Sequence, residues 1–548
     1  VLGANGIVGA GYLLAMGAGI TIKHQKRDDI SVVIAGDGSV NQGMFHEAMN
    51  MIAVFDLPVL VVVENNLYGE FTHVEKHSGV TEMFKRAQAY NIESFRLDGN
   101  NVKEVFSHVG KIIADMRKDG KPRMVELMTY RWHGHMEGDQ ELYRDDAEKS
   151  KYKEQDPIPQ LIKQMIDSHT ASASETSAIQ KAAADEVNAA VAFAVKGAEP
   201  EARVLMTDVY TPENNSYFNG AIAPSGDKEA SVAQAINEAI AEEMARDDTV
   251  FLWGEDVTLG GYFNVTEGLV DRFGKHRIID TPISEYGIVG GAVGAAMTGM
   301  RPIAEILFSD FLTCCMDPII NQAAKLRYMT GGQVSIPLTI RTPLGSGIGM
   351  AAQHSQSMEK FFFGVPGLMV VAPSDPYTAK GLLKSAIRVN NPVIVFEHKL
   401  MYAEAGKIPA GEYTLPLGKA LIRKTGEDVT LVTHLLGVGA SLEAAELLKN
   451  DSIHVEVIDL CTLYPMDTLT ILNSVKKTGR LITVEEGACT GGIGAEIIAR
   501  VATAGFSVLK TAPVRIAAPE CPIPYAKNLE NAMMHSPEKI AEAVRRMF

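Results

Sequence analysis

Short apolar runs alternate with turn-forming residues along most of this chain, and the pattern predicts strands and helices in turn. Ile30 to Ala35 is an unbroken apolar run that reads as a buried parallel strand, with Gly36-Asp37-Gly38 as the turn at its carboxyl end. Met44 to Phe55 then predicts a helix with Met44, Ala48, Met51, Ile52 and Phe55 on one face, and Leu57 to Glu64 the next strand. A helix over 81–90, a strand over 94–97, a helix over 102–118 and a strand over 123–130 continue the alternation of a parallel sheet covered on both faces. Residues 157–207 read as alanine-rich helix. Residues 208–228 lose both periods and concentrate Asn, Gly, Pro and Ser, which marks a linker.

The alternation then resumes. A helix over 231–246, a strand over 250–254, a Gly/Ala-rich helix over 287–299 and a strand from Arg301 to Leu307 lead to strands over 368–372 and 393–397 around a helix over 376–389. A further set follows from about 415: strands over 429–433, 453–459 and 480–485 with helices over 440–449 and 466–476. The expected fold class is α/β, with three consecutive parallel-sheet domains. The boundaries are 1–156, a helical extension and linker over 157–228, then 229–410 and 411–548. At 548 residues each domain is large enough to bury its own core.

Composition narrows the partners. A formal net charge of -16 with no strong basic cluster excludes a nucleic-acid or anionic-membrane surface. The five cysteines include the adjacent pair Cys314-Cys315 and suggest neither a disulfide framework nor a zinc spacing, which fits a reducing compartment. The first 22 residues lack charge, yet they have no basic n-region and are rich in glycine, which suits a core helix better than a signal or a membrane span. The chain opens on valine inside what reads as a domain, so an N-terminal truncation is expected. The absence of a targeting segment points to the cytoplasm.

Several residues carry candidate chemistry. In a parallel sheet the turns after the first two strands open at one edge, so Asp37 and Asn66 converge although distant in sequence. Carboxylate and amide oxygens suit magnesium, and Gly36 and Gly38 let a diphosphate approach the backbone, where peptide N–H groups can donate to it. Taken alone, Gly-Asp-Gly is equally an ordinary turn. His133 and His135 are spaced like metal ligands but lack the third that zinc wants. Glu285 reads locally as a first-turn acid before its helix, and Phe311 as core. His354 follows the Gly-rich loop 345–349 among polar neighbours, a setting for function more than packing.

GDGSVNQG at 36–43 followed by ENNLYG at 64–69 resembles the thiamin diphosphate motif of the E1 components of 2-oxo acid dehydrogenase complexes. GIVG at 6–9, the HGH loop, DTPISE at 280–285, FSDF at 308–311 and AAQHSQ at 351–356 extend the resemblance over nearly the whole chain. Together they resemble an α-type and a β-type E1 subunit fused into one polypeptide, with the thiamin diphosphate-binding, transketolase-like fold. The resemblance implies thiamin diphosphate and Mg2+ as cofactors, and admits K+ without placing a site for it. The cofactor would lie between the first domain and the second. Asp37, Asn66 and the main-chain carbonyl of Tyr68 would hold magnesium, and Gly36, Gly38, Ser39 and His135 the diphosphate. Gly6 and Val8 would meet the aminopyrimidine through main-chain groups. Ile283 and Leu307 would also contact the cofactor, Phe311 would stack on the pyrimidine, and Glu285 would hydrogen-bond its ring nitrogen.

By the same resemblance His354 faces the substrate and, with His135, handles protons and lipoyl transfer. The reaction implied is cleavage of the bond beside a ketone in pyruvate, a branched-chain 2-oxo acid or acetoin, with reductive acylation of the lipoyl group of an E2 acyltransferase core. Glu70 after NNLYG is similar to acetoin enzymes, whereas AEILFSDF and NPVIVFEHKLMY are similar to branched-chain and acetoin β chains. Met136 stands where members controlled by phosphorylation carry serine, which argues against that control. A homodimer is expected, and the C-terminal domain is expected to serve dimer and E2 contacts without catalytic residues. The rival readings are a transketolase-like ketol transferase and a catalytically inactive scaffold of the same fold.

Overall fold

The computed structural model describes residues 3–212, 222 and 226–548. Two compact units divide the chain, one ending at Asp208 and one starting at Val209.

The first unit is organised on strands β1 (Ser31–Gly36), β2 (Val59–Asn65), β3 (Glu93–Asp98) and β4 (Arg123–Met128). All are parallel, in the order β1-β2-β4-β3. Helix α1 (Ala10–His24) packs on β1 and on α2 (Gly43–Val54), and it is buried from Ala10 through Ile22 at nearly every position. The helix sits so close to the sheet that a Cβ on Gly19 would lie 2.8 Å from Val59 Cγ2. Strand β1 departs from the expected fully buried strand: it is a sheet edge, and while Val33 is buried, Val32 and Ile34 on the other face are 47% and 62% exposed. The helix expected over 81–90 shortens to Phe84–Ala87 with a 3-10 turn over Gln88–Tyr90, ended by Asn91 at φ 58°. Helix α3 (Val102–Asp119) returns the chain to β4.

Helix α4 (Ala173–Val195) starts from a capping box in which Ser172 and Glu175 bond each other's backbone N–H. It is exposed along almost its whole length, with Ile179, Val187, Val191 and Phe193 in solvent.

Among the described residues the second unit holds two large sheets and a two-stranded ribbon. The larger contains β5 (Val250–Gly254), β6 (Ile278–Asp280), β7 (Arg301–Glu305), β8 (Thr339–Leu344), β9 (Met369–Val371), β10 (Val393–His398) and β14 (Thr462–Tyr464). Their order is β14-β9-β10-β8-β7-β5-β6, parallel throughout except that β14 runs antiparallel to β9. The smaller contains β11 (Leu421–Lys424), β12 (Val429–Thr433), β13 (Val455–Asp459), β15 (Leu481–Ala488) and β16 (Val514–Ala518), in the order β11-β13-β12-β15-β16 with β11 antiparallel. The sheets are therefore mixed and mostly parallel, and the antiparallel edges β11 and β14 carry no signal in the apolar pattern. Helices α5 (Val232–Arg246) and α7 (Pro376–Arg388) pack together beside the larger sheet. Between them in sequence, α6 (Glu285–Met297) is buried from Gly287 onward.

Of the stretch 208–228, residues 213–221 and 223–225 lie outside the described residues. Tyr210 accepts the Gly367 N–H at 3.1 Å, and Asn391 Oδ1 accepts the Thr211 N–H at 2.9 Å. Lys228–Ser231 forms a ribbon with Ala405–Ile408. Among the described residues no helix is long and apolar enough to cross a membrane.

Candidate active site

In the first unit, β1 and β2 lie side by side with Gly36 opposite Glu64, so the turns after them emerge at one sheet edge. Asp37 opens a 3-10 turn there, is fully buried, and its Oδ1 accepts the Asn66 N–H at 3.3 Å. Its Oδ2 lies 3.2 Å from His77 Nε2. Burial pushes the carboxyl up from its ordinary value, against the opposing pull of the Asn66 N–H and of His77. Asn66 Oδ1 accepts the Tyr68 N–H at 3.1 Å. Ser39 is fixed by donating to the Gly36 carbonyl at 2.6 Å and lying 2.6 Å from the Tyr12 hydroxyl, whose pKa burial pushes up to about 12. A Cβ on Gly38 would lie 3.1 Å from Gly69 Cα, so the backbones of the two motifs touch. Asp37, Gly38, Ser39 and Asn66 are thus brought together.

His135 is placed differently. It is exposed, its N–H donates to Asp139 Oδ2 at 2.7 Å, and its ring meets Phe71 edge-on at 5.9 Å. The loop before it is anchored by Arg144, whose guanidinium is fully buried and donates to the Arg131 and Trp132 carbonyls while packing against the Tyr68, Tyr130 and Tyr143 rings. Tyr68 turns its hydroxyl to Glu148 at 2.8 Å. Gly6 and Val8 lie on the exposed turn that enters α1, where Val8 is 53% exposed and Ala10 N–H donates to the Ile7 carbonyl.

In the second unit, β5 and β6 are adjacent and parallel with Gly254 opposite Asp280, so Glu255 and the DTPISE turn share an edge. Burial first, then the charges of Glu285 and Asp256, push Glu255 up to about 7. Glu285 starts α6 and is half-buried, while Ile283 just before it is 80% exposed. Leu307, Phe308, Phe311 and His354 line a cavity of about 380 Å3 together with Tyr262 and Met350. The His354 ring stands edge-on to Phe308 at 5.1 Å and to Phe311 at 5.2 Å. Lys399 donates to the His354 carbonyl, and its ammonium lies 5.3 Å from the Phe308 centroid. Burial pulls that ammonium down to about 8, although Asp310, Glu486 and Glu530 pull the other way.

The C-terminal segment supports this cavity from behind. Glu530 accepts the Gly347 N–H at 2.7 Å and the Gly349 N–H at 3.1 Å, and Glu486 accepts the Ser346 N–H at 2.6 Å while holding His398 Nε2 at 2.7 Å. The glycine loop that leads to His354 is therefore fixed by two distant carboxylates.

Residues 1–203 match the family model described as dehydrogenase E1 component, 228–404 the transketolase pyrimidine-binding domain, and 418–540 the transketolase C-terminal domain. The β subunit of acetoin:2,6-dichlorophenolindophenol oxidoreductase from Cupriavidus necator is 45% identical over 58% of this chain and 97% of its own length. The chain belongs to the dehydrogenase E1 components. It carries an α-type part and a β-type part on one polypeptide, and like the rest of the family it is a thiamin diphosphate-dependent oxidoreductase.

Other E1 relatives are equally similar. The 2-oxoisovalerate dehydrogenase β subunit of Bacillus subtilis is 44% identical over 58% of this chain and 98% of its own length. A pyruvate dehydrogenase E1 β subunit of Rickettsia bellii is 46% identical over the same shares. A transketolase variant from Pichia stipitis, solved with xylulose 5-phosphate, superposes with TM-score 0.63 at 16% identity, covering 99% of this chain and 81% of that one, which speaks for the fold. An E1 component also implies an E2 core as its partner. The Asp37 site fits its cofactor's metal-diphosphate end: a buried carboxylate only partly compensated, an amide oxygen on the residue whose N–H that carboxylate accepts, and two backbones in near contact.

His77, Glu255, Lys399, Glu486 and Glu530 are additions that the chain pattern did not single out. Glu255 had a signal, an acid directly after the strand expected over 250–254, where a parallel strand opens towards a ligand. The others meet their partners across long sequence separations and had none.

Proposed function

We propose that this E1 chain cleaves the carbon–carbon bond beside the ketone of a small 2-oxo acid or of acetoin and passes the acyl unit to a lipoyl group of its E2 core. The observation that carries the reading is the cavity at His354, whose size suits a small substrate and whose walls are the rings of Tyr262, Phe308 and Phe311 and the aliphatic Leu307 and Met350 beside one imidazole. We assign residues 1–156 to diphosphate binding, 157–228 to the helical extension and linker, 229–410 to pyrimidine binding and 411–548 to support of the loop before His354. The active species is taken to be a homodimer.

Asp37, Asn66 and the Tyr68 carbonyl would hold Mg2+, and Gly36, Gly38, Ser39 and His135 the diphosphate. His135 would reach it by movement of its exposed loop. Gly6 and Val8 would bind the aminopyrimidine through the main chain, with Ile283, Leu307 and Phe311 around the ring. Bound thiamin diphosphate supplies the electron sink for breaking the bond beside the carbonyl. Glu285 holds a proton at the pyrimidine nitrogen, and Glu255 beside it exchanges a proton near neutral pH. His354 holds or releases a proton at the substrate oxygen. The lipoyl disulfide takes up the acyl unit and two electrons, opening to a thioester and a thiol.

The test is reduction of 2,6-dichlorophenolindophenol by the purified chain with thiamin diphosphate and Mg2+, given acetoin, pyruvate and branched 2-oxo acids separately. One substrate should turn over, and Glu285→Gln should lower the rate by roughly a hundredfold or more. Turnover that survives Glu285→Gln, or transfer of ketol units between sugar phosphates instead, would refute the reading.

A further inference from the structure

His77 lies 11 residues beyond Asn66, outside either motif, and its ring reaches Asp37. What the ring presents to that carboxylate follows from its other contacts. Arg86 Nη1 donates to Asn41 Oδ1 at 2.9 Å, and a guanidinium can only donate, so the amide oxygen of Asn41 must face Arg86. The Asn41 amide nitrogen then faces His77 Nδ1 at 3.0 Å. An amide NH2 also only donates, so Nδ1 is the acceptor and the ring proton of neutral His77 sits on Nε2. That proton points at Asp37 Oδ2, 3.2 Å away. Ser78 Oγ, 2.9 Å from Nδ1, lies on the same side of the ring. Arg86 is itself tied to the motif turn by donating to the Val40 carbonyl at 2.9 Å.

We propose that His77 is a positioning residue of the metal site, the last member of a directed chain Arg86–Asn41–His77 that fixes the Asp37 carboxylate in the orientation a divalent cation needs. The inference rests on the reading of Asp37 as a metal ligand. With His77 on Oδ2 and the Asn66 N–H on Oδ1, each oxygen has one lone pair engaged and one left for a cation. The carboxylate plane can no longer rotate, and the protonated Nε2 has no lone pair to compete for the metal. The backbone at Gly69 packs closely against the ring as well. A Cβ there would stand 3.3 Å from His77 Nε2, so the ring would have to shift to admit one.

Partners that orient a metal-binding side chain are typically worth 10–100-fold in metal affinity. The experiment titrates Mn2+, whose free form is counted by electron paramagnetic resonance, into the full chain with saturating thiamin diphosphate. His77→Phe keeps the ring and removes the N–H; it should weaken Mn2+ about 10–100-fold. His77→Gln, which can still donate, should restore most of the loss, a recovery that a purely structural role would not give. Should His77→Phe not fold, Asn41→Leu, which removes the donor that sets the tautomer, should weaken Mn2+ about tenfold by the same route. Wild-type Mn2+ affinity in a folded His77→Phe, alongside lost binding in Asp37→Asn, would overturn the proposal and leave the metal site standing. Unchanged Mn2+ binding in Asp37→Asn would overturn the metal site and the proposal with it.

Discussion

Lys399 and His354 are joined through the main chain: the lysine ammonium donates to the histidine carbonyl while its charge rests over the Phe308 ring that the imidazole also touches. One buried cation therefore fixes both the backbone and one packing partner of the candidate proton-handling residue. Burial holds its pKa near 8, below the ordinary 10.5. Below pH 8 folded and unfolded chains both carry the charge, and the folded chain bears the full cost of burying it. Between about 8 and 10.5 the unfolded chain keeps a proton that the folded chain has released, so stability rises with pH. The rise amounts to about 3 kcal/mol at most. Lys399→Met should abolish it, and unfolding in urea at pH 7.5 and 9.5 for both proteins checks this. Parallel changes in the two would refute the account.

Glu255 gives the opposite slope. With its folded pKa raised to about 7, the folded chain holds a proton between about 4.5 and 7 that the unfolded chain has lost, so stability falls as pH rises through that window. Glu255→Gln should match wild type in melting temperature near pH 4.5 and exceed it at pH 8. Equal differences at both pH values would show that Glu255 does not titrate there.

Arg144 is expected to set the order of the loop that carries His135. Arg144→Met strands the Arg131 and Trp132 carbonyls and leaves Glu141 to the longer contact with Lys149 at 3.5 Å. A cost of roughly 2 kcal/mol or more follows, which opens the loop about thirtyfold more often. Amide hydrogen exchange over 131–143 reads this directly, and unchanged exchange would mean that the tyrosine rings hold the loop alone.

Glu530 acts on His354 from a distance. Glu530→Gln keeps the size but loses the charge that accepts two glycine N–H groups, and should lower turnover about tenfold, with thiamin diphosphate affinity unchanged. A matching fall in cofactor affinity would refute this route through the His354 loop.

What could be read from the sequence was whatever the strand period and a local motif fix together. β2, β5 and β12 lie within two residues of their expected bounds, and the convergence of Asp37 with Asn66 followed from two parallel strands ending at one edge. β1 was legible as a strand but not as an edge, because an apolar run says nothing about which of its faces a helix will cover. His77, Lys399 and Arg144 were illegible for a different reason. Each does its work through contacts to residues placed by the fold, so neither spacing nor period marks it. Glu486 and Glu530 show the same limit: the C-terminal segment, expected to carry no catalytic residues, nevertheless holds the loop before His354.

The short strand Thr462–Tyr464 lies by sequence within the 411–548 segment, yet it closes the larger sheet by pairing with Met369–Val371. The two segments are therefore not interchangeable cassettes. A chimera made by exchanging residues 411–548 with a relative would carry a foreign border strand into the sheet that bears Glu255 and Glu285. The natural unit of recombination is the whole stretch from Lys228 to the end, and a graft that respects only the linear boundary should fail at that seam first.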